Sequence, residues 1–421
     1  MGFADFYFER QKDIQVKIEV KPNNDLKYIV VIPCYYEFDI IATLESIWNS
    51  ERPKSSVEVV IIINSSEDCE EKVFEQNKKT YNEVKNWIAQ HEDSLLRFFV
   101  LNEVNLPRKF AGAGLARKIG MDQAVWRFNT LNQDRGIVIS LDADSIIKEN
   151  YFTELEKHFE QFPKTNAATI YFEHPIEGNE FEQVIYEAII TYELYLRYYK
   201  QALKYTGFPY SMHTVGSCFA INAMAYAKQG GMNRKKAGED FYLLHKVFPL
   251  GHYYEINTTC VYPSPRTSDR VPFGTGPMVK SIIESTEEVF LTYNIDSFLE
   301  LKSLFKLSDD LFKISLEEFD VLLKTLPECI REFLKKNDFF NAIQEINNNS
   351  SKIETFTKRL FDWFNAFRIL KYLNFAHESY YQKQALLTEA EKFVELLNLK
   401  NDNIKTYKNY LELFRKLERQ F

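Results

Sequence analysis

The first 280 or so residues alternate short apolar runs with stretches whose apolar side chains recur every three or four positions. The apolar runs are Tyr28–Ile32, ending at Pro33; Val57–Ile63, ending at Asn64; Leu95–Leu101; Ile137–Leu141, ending at Asp142; and Ala167–Phe172. Between them, helical spacing covers Ile40–Trp48, Glu70–Gln90, Gly114–Phe128 and Tyr151–Phe162. Continuous apolar strands alternating with helices predict an α/β fold with a mostly parallel central sheet flanked by helices. In such sheets the ligand lies beyond the carboxyl ends of the strands. The residues that follow those ends are therefore the first place to look for chemistry.

After residue 280 the pattern changes. All 14 glycines lie between Gly2 and Gly276, and Pro327 is the only proline after Pro277. Without these breakers, stripes such as Phe312, Leu316, Phe319, Leu323 and Phe361, Phe364, Phe367, Leu370 predict helices packed on one another. Asn347–Ser351 is the clearest loop among them. The expected organisation is an N-terminal extension (1–26), an α/β domain (27–280) and an all-α C-terminal domain (281–421). The aromatic stretch Tyr186–Tyr205 reads as core.

Composition narrows the function. The chain has 421 residues with 52 Lys+Arg against 60 Asp+Glu, a net charge of −8, which argues against a nucleic-acid binder held by charge. No run of about 18 apolar residues and no leader-like start occur, so neither a membrane span nor a secretory signal is expected. Cys34, Cys69, Cys218, Cys260 and Cys329 are odd in number and scattered, which fits free thiols and a cytoplasmic location.

The strand ends carry the candidate chemistry. Pro33, Tyr35 and Glu37 follow the first run, and Asn64 ends the second. At the fourth, Asp142 and Asp144 flank Ala143; two hard oxygen donors at this spacing suit Mg²⁺ or Mn²⁺, with a diphosphate completing the shell. The same residues also suit a turn or a helix N-cap. Lys109 to Lys118 combines Gly112 and Gly114 with Lys109 and Arg117, which suits either phosphate contact or a solvated basic helix start. Glu239-Asp240 follows Gly238 at the head of an apolar helix; it suits either a helix-dipole arrangement or a general base near a metal. Arg266 and Arg270, with small hydroxyls and two glycines between Arg266 and Gly276, suit wrapping of oxyanions or an exposed linker. His252 is a candidate third metal ligand.

Four of these segments, in this order, resemble the family 2 glycosyltransferases of the GT-A fold: Val30–Glu37, Ala113–Gly120, Leu141–Asp144 and Gly238–Asp240. The resemblance covers about residues 27–280. It implies a GT-A catalytic domain, a nucleotide-sugar donor, a divalent metal at Asp142/Asp144 and an acceptor base at Glu239-Asp240. The chain departs from the family at Tyr36, where Asn is usual, and at Asn64–Glu67, where Asp-Asp-Gly-Ser is usual and the nucleotide base is touched. UDP is the donor base expected by analogy. The mechanism implied is an inverting single displacement, with Asp240 as base, Glu239 positioning the acceptor, and Arg266 and Arg270 closing over the phosphates. The acceptor expected is a saccharide or other hydroxyl compound. The helical region is expected to pack on the catalytic domain, shape the acceptor site, or form oligomers. A sugar-phosphate nucleotidyltransferase and a non-catalytic scaffold are the alternative readings.

Overall fold

The computed structural model describes residues 2–11, 14–235, 238–271, 274–287, 289–399 and 404–420. The chain divides into two compact units, one of Met1–Ile189, Thr214–Lys280 and Glu418–Phe421, the other of Ile190–His213 and Ser281–Leu417. Ala237 of the Gly238-Glu239-Asp240 segment, and Pro272 and Phe273 of the Arg266–Gly276 segment, lie outside the described residues.

The first unit begins with α1 (Asp5–Arg10), β1 (Leu26–Cys34), α2 (Ile40–Trp48), β2 (Ser56–Ser66), α3 (Glu71–Ile88), β3 (Leu96–Leu106), α4 (Ala113–Thr130) and β4 (Ile137–Ser140). It continues with β5 (Ser145–Ile147), α5 (Tyr151–Gln161) and β6 (Ala167–Phe172), then α6 (Gln183–Tyr205), which runs into the second unit. On return come β7 (Phe219–Asn222), α7 (Ala223–Lys228), α8 (Glu239–Val247), β8 (Tyr253–Pro263) and α9 (Thr275–Glu284). The sheet order is β3-β2-β1-β4-β7-β6-β8-β5.

The half built from β3, β2, β1 and β4 is parallel. Its strands are apolar because helices cover both faces; β2 is buried from Ser56 through Ser65. Sequence periodicity finds these strands, and β6, readily. It misses the other three. β5 has three residues and β7 four, and β8 interleaves Glu255, Asn257 and Thr258 with its apolar positions. These three supply the antiparallel pairings β4–β7, β6–β7 and β5–β8.

Helix α4 is unusual in burying charged residues, Arg117, Lys118, Asp122 and Arg127, as well as apolar ones. Each has a partner, as burial of charge demands. Lys118 Nζ donates to Asp122 Oδ2 (2.9 Å) and to Tyr7 Oη (3.0 Å). Tyr7 and Tyr226 hydroxyls both donate to Asp122 Oδ1 (2.6 and 2.9 Å). Arg127 pairs with Glu58 near the start of β2 and also donates to the Val20 carbonyl (2.8 Å). Gln123 holds Gln15 and Lys17 by backbone contacts (2.7 and 2.8 Å). The segment before β1 is thus strapped along α4.

The second unit is helical: α10 (Ile295–Phe305), α11 (Leu316–Thr325), α12 (Glu328–Lys336), α13 (Phe339–Asn348), α14 (Ile353–Trp363), α15 (Ala366–Ser379), α16 (Leu386–Leu396) and α17 (Tyr407–Arg419). A two-residue pairing of β9 (Leu291–Thr292) with β10 (Gln384–Ala385) was not legible from sequence. Phe305, Phe333, Phe361, Phe364 and Tyr372 form its aromatic core. The expected stripe Phe361–Leu370 is two helices, not one. Phe364 ends α14, and the Asn365 side chain caps α15 by accepting from the Arg368 amide. Among the described residues no helix is long and apolar enough to cross a membrane. None of the five cysteines is in a disulfide.

Candidate active site

The site is built at the carboxyl end of the parallel strands. Where the chain leaves β1, side chains brace the backbone. Asn64 Nδ2 donates to the Cys34 carbonyl (2.9 Å), Asn77 Nδ2 donates to the Asn64 carbonyl (2.9 Å), and Asn77 Oδ1 accepts from the Tyr36 amide (2.9 Å). Tyr36 is held at φ 50°, a left-handed conformation that Asn adopts more readily than a bulky aromatic. That is a backbone reason for an Asn at this place in the resembling family. Asn64, predicted to touch the ligand, is instead 1% exposed and braces the turn.

This turn points Glu37 inward, where it is 2% exposed. Arg266 grips it with both terminal nitrogens (2.6 and 2.5 Å). Arg270 Nη1 adds bonds to Glu37 Oε2 (3.1 Å) and to the Tyr35 carbonyl (2.9 Å). Burial opposes the Glu37 charge, but the two guanidiniums outweigh it and hold the carboxyl below its ordinary value. The reach is explained by topology. β8 runs antiparallel to β5 with Pro263 opposite Ser145, so the chain leaving β8 emerges beside Asp144. Arg266 Nη2 lies 2.6 Å from Asp144 Oδ2, and Arg270 Nη2 lies 4.0 Å away. Arg266 Nε is buried without a protein acceptor.

Asp142 and Asp144 flank a turn between β4 and β5, half-buried. The turn is pinned by Thr43 Oγ1 donating to the Ala143 carbonyl (2.9 Å) and by the Ser145 amide donating to the Asp142 carbonyl (3.2 Å). Burial, together with the charges of Asp142 and Glu37, raises the Asp144 carboxyl despite Arg266. Asp142 Oδ1 accepts from Arg117, whose other terminal nitrogen donates to Glu239. Arg117 was expected to face phosphate or solvent. It does neither, being 5% exposed and spent on these two carboxylates and Ser140. Burial disfavours its charge, but Asp142, Glu239 and Asp240 more than compensate and keep it cationic.

Helix α8 starts at Glu239 because Gly238 takes a left-handed turn (φ 71°) just before it. Glu239 is buried on Arg117, and Asp240 is half-buried beside it. Burial and the neighbouring Glu239 charge raise the Asp240 carboxyl to about 7, against the pull of Arg117 and of the Phe241 amide (2.7 Å). Gly114, read as a ligand-approach glycine, serves a close approach within the chain. A Cβ there would stand 2.0 Å from the Lys235 carbonyl oxygen and 3.2 Å from Glu239 Cβ. Gly114→Ala is therefore expected to cost about 1–3 kcal/mol by overpacking, measured as a lowered midpoint in thermal unfolding. An unchanged midpoint would mean that the approach is looser than described.

Two predicted residues stand apart. His252 is exposed at the start of β8, next to Tyr253, which pairs with Ala167 at the start of β6. Ten strand residues at about 3.3 Å each put roughly 30 Å between that point and the Asp144 end of β8. His252 is therefore no partner for Asp142 and Asp144. Lys109 is exposed on the turn before α4, with Nζ 5.2 Å from the Phe110 ring centre. Pro33 is half-buried within β1 itself. Sequence reasoning missed Ser140 and Gly216, whose places beside Arg117 exist only after folding.

Five carboxylates, Glu37, Asp142, Asp144, Glu239 and Asp240, meet three guanidiniums, Arg117, Arg266 and Arg270. The formal balance, three positive against five negative, leaves two negative charges uncompensated. Among the described residues no group of three or more His, Cys, Asp or Glu side chains is arranged as a metal cage. The donor set Asp142 and Asp144 nevertheless fits Mg²⁺ or Mn²⁺ of the kind held by one or two carboxylates and completed by substrate phosphates.

Residues 29–230 match the family model described as Glycosyl transferase family 2. Solved structures similar to this chain include residues 1–349 of S. aureus TarS in complex with UDP-GlcNAc, at 14% identity over 80% of this chain and 92% of that one, TM-score 0.38. The same fragment in complex with UDP is 14% identical over 80% and 91%, TM-score 0.35. Full S. aureus TarS is 14% identical over 85% of this chain and 56% of that one, TM-score 0.34. No curated protein matches the chain.

Proposed function

We propose, from the match of residues 29–230 to the family 2 glycosyltransferase model, that the chain moves a sugar from a UDP-sugar donor to an acceptor hydroxyl by an inverting, metal-dependent single displacement. The observation that carries the proposal is geometric: at one sheet end Arg117 joins Asp142 to Glu239 in the first turn of α8, next to Asp240, while Arg266 rims Asp144.

Asp240 is the general base. A carboxylate near pKa 7 is ionised in about half the molecules at neutral pH and basic enough to take an acceptor hydroxyl proton as the new bond forms. Glu239 is held on Arg117, which fixes the first turn of α8 and so the direction of Asp240. Asp142 and Asp144 would hold Mg²⁺ or Mn²⁺, which when bound supplies charge stabilisation to the departing diphosphate. Arg266 and Arg270 bind the same diphosphate, the buried Arg266 Nε being a donor ready for a phosphate oxygen. Closure of this segment excludes water, which would hydrolyse the donor. In this reading residues 27–280 are the catalytic domain, 281–421 a helical domain and 1–26 an extension.

The test is a screen of nucleotide sugars with and without Mn²⁺, read by nucleotide release and product mass, followed by the anomeric configuration of the product. Transfer with inversion is the expected result. Binding of UDP-sugars without turnover would replace the enzyme by a sugar-nucleotide-binding scaffold, and product of retained configuration would remove the single displacement.

A further inference from the structure

We infer that Arg117 is a positioning residue that couples the donor-side carboxylate Asp142 to α8, the helix bearing the base. The inference rests on the glycosyl-transfer reading above. One planar guanidinium carries five N–H donors in a fixed fork, so the direction of one bond sets the directions of the others. Here the fork is divided among three places in the fold. Nε donates to Ser140 Oγ at the end of β4 (3.1 Å), Nη2 to Asp142 Oδ1 just beyond that strand, and Nη1 to Glu239 Oε1 on α8. The partners lie 23, 25 and 122 residues from Arg117 in sequence. Asp142 therefore cannot turn toward a donor complex without shifting the guanidinium, and with it the first turn of α8 next to Asp240.

The surroundings leave the fork no freedom. Arg117 is 5% exposed. A Cβ at Gly216 would stand 2.6 Å from Nη2 and 3.0 Å from Cζ. The end of an arginine ordinarily gives way to such a contact, but this one is fastened on three sides. A lysine would keep the charge as a point and lose the fork.

The coupling has two consequences that are read separately. Arg117→Lys and Gly216→Ala both keep a cation beside Asp240 and both disturb the fork. Each is expected to lower kcat about 100-fold, the scale of a misplacement of about 1 Å, while KM for the donor and the acidic limb of the pH–kcat profile stay near wild type. Arg117→Gln removes the cation as well, and is expected to move that limb to higher pH. A kcat per folded molecule within threefold of wild type in Arg117→Lys and Gly216→Ala would overturn the inference, whatever happens to Tm. A second measurement needs no turnover: a thermal-unfolding cycle of Asp142→Asn and Glu239→Gln. The two effects are expected to be coupled in the wild-type background and additive with Arg117→Gln. Additivity in the wild-type background overturns the coupling. A wild-type chain inactive on every donor would instead count against the glycosyl-transfer reading and leave this cycle to decide the role of Arg117.

Discussion

Asp240→Asn is expected to lower kcat by about 10²–10⁴-fold, the usual contribution of a positioned base, while UDP–Mn²⁺ binding measured by calorimetry stays within a few-fold. The pH dependence gives the same residue a second signature. The base must be ionised, and its carboxyl is raised to about 7 by burial and by Glu239. Wild-type kcat should fall about tenfold per pH unit below the value at which this carboxyl ionises and level off above it; the residual rate of Asp240→Asn should lack that limb. Stability runs the other way. A folded-state value above the ordinary aspartate value means that the native state holds a proton the unfolded chain has released, so stability falls as pH rises from about 4 through about 7. The amide cannot ionise, so Asp240→Asn should unfold no earlier than wild type at pH 8. An inactive variant with unchanged or raised Tm separates lost chemistry from lost structure. A variant that transfers sugar at the wild-type rate removes Asp240 from the mechanism.

The second large effect concerns Asp144. Chelation of divalent metal is expected to reduce transfer by at least about 10²-fold, the scale of one lost charge-stabilising group, with recovery on adding Mn²⁺ or Mg²⁺. Asp144→Ala should weaken UDP–Mn²⁺ binding and flatten the metal dependence. It also leaves Arg266 with Glu37 alone, through the bidentate grip of 2.6 and 2.5 Å. Arg266→Lys is the control for that side effect, since it loosens the Glu37 contact while keeping both aspartates. Full activity after exhaustive chelation would leave Asp144 as an arginine anchor and no more.

Which parts of this molecule sequence makes visible follows from how local each signal is. β1, β2 and β4 are continuous apolar runs because helices cover both faces of the parallel half-sheet. The Asp142–Asp144 turn was findable because it directly follows such a run. β7 was not, since four residues, Phe219–Asn222, carry no period. The pairing of Glu37 with Arg266 and Arg270 spans 229 and 233 residues, and no spacing rule reaches that far. Basic residues at the head of α4 show their charge in the sequence but not their partners, which is why the segment reads as either phosphate-facing or solvated. Asn64 was placed correctly at a strand end and wrongly aimed, since its amide satisfies the Cys34 carbonyl. His252 is near other candidates in sequence, but the length of β8 carries it to the opposite end of the strand.

The strap along α4 has a consequence for how the molecule is made. Tyr7, Lys17 and Val20 meet their partners on α4 across 115, 106 and 107 residues of chain. These bonds can close only after α4 has been synthesised. Such late closure of long-range contacts slows assembly. Synthesis stalled before Asp122 would leave Tyr7, Lys17 and Val20 without their partners on Asp122, Gln123 and Arg127.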